Sequence, residues 1–297
     1  MRPLGGPVPD GQDDAAAVGA AWRGSGCDGD EMRTVPARWR LPTRLLALRL
    51  VISLTLIVAV RATYAEPPAP AYSPDALAAL RYKAVLIAGD QSAAAFDHAT
   101  EAVRDRLLAA HVPPADIQRF TASRAVAARG DARPSRLDSV LAAIDRLHPG
   151  PGEGCFVFAT SHGAYQEGFV LMPSENFLTP AALDKALAHG CGDAPTMVVI
   201  SSCFSGSFAK PPMTRPNRII LTAARDDRPS FGCGAGFQYT VHDRCLLQAM
   251  DAATVWRAAY AMIQACVSAR EKALGFPPSE PQAWFGDAVR GMRVPRR

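Results

Sequence analysis

What this 297-residue chain lacks removes several classes of function. It has no C-x-x-C pair, so the usual cysteine framework of a structural zinc is missing and no metal is expected. It has no G-x-S-x-G elbow, which leaves a serine hydrolase of the α/β type without its nucleophile. It has no glycine-rich phosphate cradle, so no nucleotide cofactor is expected. Lys and Arg exceed Asp and Glu only by 32 to 28, and no basic block is interleaved with aromatics, so nucleic acid is not an expected partner. The apolar run at residues 50–60 falls well short of the roughly 20 residues a membrane-spanning helix needs. No internal repeat is visible.

The N-terminal part that remains has the layout of an export signal. Residues 1–31 are rich in Gly, Ala and Asp, with Trp22 almost the only large apolar residue, and are expected to stay disordered. Then come Arg33, Arg38, Arg40, Arg44 and Arg49, the apolar run, and the small-residue exit Thr63-Tyr64-Ala65. That order reads as a signal peptide over 32–65, cut after Ala65. Met32 stands where such a peptide starts, so 1–31 read as the product of a start called too far upstream. Left uncut, the same segment is an inner-membrane anchor, the one way in which this chain is expected to meet a membrane. Both readings put the folded part outside the inner membrane, periplasmic or secreted. Residues 66–74 form a proline-rich linker. Residues 75–297 are enough for one domain with a real core, expected as a monomer.

Cysteine use fits that compartment. Seven cysteines occur, of which Cys27 precedes the signal. An exported protein permits disulfides. Cys245 and Cys266 fall on two consecutive helices joined by a short connection, and are expected to bridge. Cys155 and Cys191 precede neighbouring strands at the same sheet end and make a second pair.

Strands and helices alternate along the domain. Apolar runs at 83–89, 117–120, 156–160, 198–201 and 218–223 read as buried strands. Helices are expected over 94–110, 134–147, 180–188, 243–250 and 253–274, with Pro134 opening the second from a favoured first-turn position. A short β-like excursion lies at 168–172, and the tail 276–297 is expected to wrap the surface. Such alternation argues a doubly wound α/β sheet.

Two of these strands end in chemistry. Residues 156–163 (F-V-F-A-T-S-H-G) deliver His162, and residues 198–206 (V-V-I-S-S-C-F-S-G) deliver Cys203. The intervening helix is a crossover of the right length for adjacent parallel strands, whose carboxyl ends are where α/β sheets collect reactive groups. A thiol needs a base or a neighbouring imidazolium to react near neutral pH. An acyl-transfer site also needs donors for the developing oxyanion; the N–H groups of Gly163 and Cys203 stand in the right positions.

These two motifs resemble those of the legumain group of cysteine peptidases, relatives of the caspases and here of a bacterial type. The weaker matches at 84–89, 96–98, 221–224 and 230–232 agree. The resemblance implies a caspase-like fold, mainly parallel with helices on both faces of the sheet. It implies a cysteine endopeptidase acting on peptides or proteins, with His162 as base and Cys203 as nucleophile. It also puts Asp97, His98, Ser201 and Ser230 at the pocket for the residue before the scissile bond. The chain departs from the group where an asparagine orients the histidine: that place falls on Ala95, leaving a dyad whose imidazole is held by a backbone carbonyl or by nothing. Asp97 replaces an arginine and Ser201 an acid, so an unaccompanied Asp97 implies a preference for Lys or Arg. The alternatives are a transpeptidase, which resolves the same acyl-enzyme with an amine, and a non-catalytic peptide-binding domain.

Overall fold

The apolar runs become strands because each supplies side chains to two buried faces at once. A computed structural model describes residues 72–172, 174 and 176–296; the expected signal, the segment before it and most of the linker lie outside them. In chain order the elements are α1 (Pro74–Ala78), β1 (Arg81–Ala88), α2 (Ala94–Ala109), β2 (Ile117–Thr121), α3 (Arg124–Ala127), β3 (Arg133–Pro134) and α4 (Leu137–Asp145). There follow β4 (Glu153–Thr160), β5 (Gly163–Ala164), β6 (Gly168–Leu171), β7 (Asn176–Leu178) and α5 (Pro180–Gly190). The chain continues through β8 (Thr196–Ser201), β9 (Arg218–Thr222), α6 (Val241–Ala252), α7 (Trp256–Leu274) and β10 (Gln282–Phe285).

Seven strands form one sheet in the order β10-β9-β8-β4-β1-β2-β3, parallel throughout except for β10. Successive side chains point to opposite faces. Leu86, Phe158, Val199 and Leu221 pack beneath α2, α6 and α7 with Val103, Leu246 and Trp256. Ile87, Val157, Ile200 and Ile220 pack beneath α4 and α5 with Ile144 and Leu187. Helices therefore cover both faces, as expected. A second, three-stranded sheet, β5-β6-β7, is inserted between β4 and α5, and its Phe169, Leu171 and Leu178 join the second core.

Two expectations are corrected. Pro134 does not open a helix: it lies in β3, paired with Thr121, and the helix starts at Leu137. A proline has no N–H to give a ladder, which suits this outermost strand, and it biases its predecessor towards extended backbone. The tail does not merely wrap the surface. Its β10 pairs antiparallel with β9, covering an edge that would otherwise be open, and Val289, Met292 and Val294 enter the first core.

The amino ends of the strands are fastened. Cys155 and Cys191 are bridged there across 36 residues; a second bridge, Cys245 to Cys266 across 21, joins α6 to α7 instead, and both are pairs the sequence suggested. Asp184 of α5 receives Nε and Nη2 of Arg215 at 2.8 and 2.7 Å and Nη1 of the buried Arg218 at 2.7 Å. Among the described residues, no helix is long and apolar enough to cross a membrane.

Candidate active site

The register of the sheet brings the two motifs together. β4 and β8 are adjacent and parallel, with Thr160 opposite Ser201, and the Ser161 N–H donates to the Ser201 carbonyl at 3.1 Å. Both chains then leave the sheet side by side, one into His162-Gly163 and the other into Ser202-Cys203. Gly163 is required by close approach: a Cβ built there lies 2.0 Å from the Cys203 carbonyl oxygen, a distance no side chain tolerates.

Cys203 is the free cysteine among the described residues. Its sulfur accepts from the Ser230 N–H at 3.3 Å and donates to the Ser230 carbonyl at 3.5 Å. Burial pushes the thiol pKa up, against the N–H and hydroxyl of Ser230 and the N–H groups of Gly163 and of Cys203 itself, which favour the thiolate. Burial also lowers the pKa of His162, against the pull of Asp90 in the other direction. Both shifts favour the uncharged forms.

The imidazole is held by a side chain. Ser92, on the loop after β1, places its hydroxyl 3.1 Å from His162 Nε2, and Asp90 Oδ1 accepts from the Ser92 N–H at 2.6 Å. Phe96 meets the ring edge to face, with centroids 5.3 Å apart.

The sequence profile of the Peptidase C13 family matches residues 138–291, more than half of the chain and the part that carries both motifs. The chain belongs to the Peptidase C13 family. This C13 chain is thus a cysteine-type peptidase, in line with the legumain resemblance. Caspase-1 from Spodoptera frugiperda is a similar solved structure, 10% identical, with a TM-score of 0.48 over 69% of this chain and 86% of that one. No curated protein sequence matches.

The other expected site residues of the C13 peptidase separate. Ser230 lies against the sulfur. Ser201 is buried beneath the cleft, its hydroxyl 3.2 Å from His242 Nδ1 and 3.5 Å from the Thr240 hydroxyl. His98 is exposed, with Nδ1 3.2 Å from the Gln238 carbonyl oxygen. Asp97 is buried in the first turn of α2: burial raises its pKa, while the Thr121 hydroxyl and the Arg119 guanidinium, both on β2, oppose that rise. Arg119 acts on this carboxyl electrostatically while its guanidinium pairs with Asp131 and Glu101, a nearby positive charge that the Lys/Arg preference did not include. Arg119 was overlooked because it comes from another strand.

Sequence reasoning also missed the holder of the histidine, looking to Ala95, which is buried and carries no polar atom. A signal was present in Asp90-Gln91-Ser92, since Asp and Ser directly after a strand form local side-chain-to-backbone turns. Behind Ser201 lies a further buried group: Thr160 donates to Asp243 Oδ2 at 2.7 Å, and Asp243 lies 3.8 Å from His242 Nδ1. Thr240 caps α6 with its hydroxyl, which starts the helix early enough to include His242.

Proposed function

We propose that this C13 peptidase is an exported endopeptidase that cleaves peptide bonds through Cys203 and His162. One observation supports the reading above the others: β4 and β8, paired in register, bring Gly163 against the backbone of Cys203, the free cysteine among the described residues.

With thiol and imidazole both favoured uncharged, the proton moves as the bond forms. A peptide carbonyl enters over Cys203, and the sulfur attacks its carbon while His162 takes the thiol proton. Nε2 is occupied by Ser92, so Nδ1 is the ring nitrogen left for the thiol. The N–H groups of Gly163 and Cys203 receive the developing oxyanion. The intermediate collapses, the C–N bond breaks, and the imidazolium returns its proton to the departing amine. Water, deprotonated by His162, then releases the acyl group as a carboxylic acid. Ser92 and Asp90 position the ring throughout.

Cys203→Ala and His162→Ala should each lower cleavage of a peptide library at least about 10³-fold with the fold retained by circular dichroism. A Cys203→Ala protein that cleaves like its parent rejects the site. Export is supported by the signal-like segment and by the two disulfides. N-terminal sequencing of the exported protein should begin near Glu66; a sequence starting within 1–31 rejects that part.

A further inference from the structure

The segment between α7 and β10, residues 276–281, has no part in the chemistry above, yet it is tied to the loop that reaches the sulfur. The Phe276 and Phe231 rings stack, with centroids 4.6 Å apart and planes at 20°. The Arg225 N–H donates to the Ser279 carbonyl at 2.9 Å. The Ser279 N–H in turn donates to the buried carboxylate of Glu271 on α7, at 3.2 and 3.1 Å. Glu280 then receives an arginine on each carboxylate oxygen, Arg225 Nη1 at 2.7 Å and Arg228 Nη1 at 2.9 Å.

Arg228 is where this grip reaches the site. Its guanidinium also donates to the Pro278 carbonyl at 2.9 Å, and its N–H closes a turn by donating to the Arg225 carbonyl at 3.2 Å. Its own carbonyl accepts from the N–H of Phe204, the residue after Cys203, at 2.8 Å. Two residues on, the Ser230 N–H meets the Cys203 sulfur at 3.3 Å. Burial pushes that thiol up, and the Ser230 N–H is the foremost of the groups that oppose the rise. Glu280 itself has φ 55°, a left-handed backbone that persists in such a residue only where its surroundings fix it.

A single exposed ion pair contributes little, because water screens it and two long side chains must be ordered. Here one carboxylate holds two arginines of the same loop. Asp227 holds Arg225 from the other side, accepting from Nε at 2.5 Å and from Nη2 at 2.8 Å. Networks of this kind are where surface charge does count. We propose that Glu280 is a positioning residue, which through Arg225 and Arg228 holds the loop 225–230 with the Ser230 N–H on the sulfur of Cys203. Its effect on cleavage rests on the reading of Cys203 as the nucleophile; its effect on the thiol does not.

The test uses the purified exported protein and iodoacetamide, a neutral probe, with alkylation of Cys203 followed on its own peptide by mass spectrometry. Glu280→Gln should slow alkylation near neutral pH about 5-fold, which corresponds to about 1 kcal/mol. Cleavage of a peptide library should fall by a similar factor, with the thermal midpoint unchanged. Glu280→Asp, which keeps the charge, should restore most of both rates. Raising salt from about 0.02 to about 0.5 M should slow alkylation of the parent towards that of Glu280→Gln and leave the variant as it is. Asp287→Asn removes the Asp287–Arg290 pair further along the tail and should match the parent throughout. Parent-like alkylation in Glu280→Gln overturns the proposal, as does an equal loss in Glu280→Asp or Asp287→Asn, or a thermal midpoint that falls with the rate. Slowed alkylation in Glu280→Gln, with no cleavage even by the parent, upholds the positioning of the thiol and rejects the nucleophile reading instead.

Discussion

The two ends of the main sheet are built to different rules. At the amino ends an ion-pair network and a disulfide fasten the strands: Asp184 binds Arg215 and Arg218, and Cys155 is bonded to Cys191, although Trp256 Nε1, packed on Phe156, is buried without a partner. That bridge closes a loop for which chain entropy alone gives about 4 kcal/mol. At the carboxyl ends of the same strands, satisfaction is incomplete. Ser161 Oγ, His242 Nε2 and Asp243 Oδ1 are buried without a hydrogen-bond partner, and Phe204 is held left-handed. Unpaired buried polar atoms cost roughly 1–3 kcal/mol each, so one end of the sheet offsets what the other spends. Stability and reactivity are thereby kept apart along a single set of strands.

Substitution can break that division from either end. The largest effect is expected at the amino end. Asp184→Ala leaves the buried Arg218 guanidinium without its carboxylate and should cost about 3–5 kcal/mol, read by denaturant unfolding, with kcat unchanged at temperatures where the protein stays folded. The pH dependence has a defined sign. Burial raises the Asp184 pKa, but Arg215 and Arg218 outweigh it and hold the carboxyl below the usual range. Its stabilisation is therefore present above the pKa of the unfolded carboxyl and is lost as pH falls through the depressed folded value. Parent and variant should converge in stability in strong acid; a gap that persists there contradicts the ion pair as the cause.

The smaller effect belongs at the other end and sharpens the contrast. Ser92 is exposed and fixes the ring of His162 through Nε2. Ser92→Ala should lower kcat about 10-fold with KM and thermal midpoint unchanged, as expected when only transition-state geometry is lost, and Ser92→Thr should recover most of it. A midpoint that falls with kcat would make Ser92 structural.

What could be read in advance divides along the same line. Strands β1, β4, β8 and β9 were legible because burial on two faces forces an unbroken apolar run, and both disulfide pairs because helix order and strand starts put those cysteines side by side. His162 and Cys203 stood out because each ends such a run among small residues. Ser92, Arg119 and His242 did not, since their roles depend on which strand lies next to which. Asp97 shows the difference: its place at the start of α2 was visible, while the Arg119 that acts on it electrostatically belongs to β2, a neighbour fixed by pairing. Pro134 was misread because a proline serves equally at a helix start and on an outermost strand, and only the pairing with β2 decides between them.

The order β2-β1-β4-β8-β9 has a consequence for when activity arises. The groups around Cys203 come from Asp90 and Ser92 after β1, His162 after β4, and Ser230 after β9, so no short stretch of chain contains the site. Parallel strands pair only across long crossovers, and such non-local contacts form late in folding. On the mechanism proposed above, a partly folded chain holds a thiol and an imidazole without the donors that complete the site, so cleavage is expected only once the topology is complete.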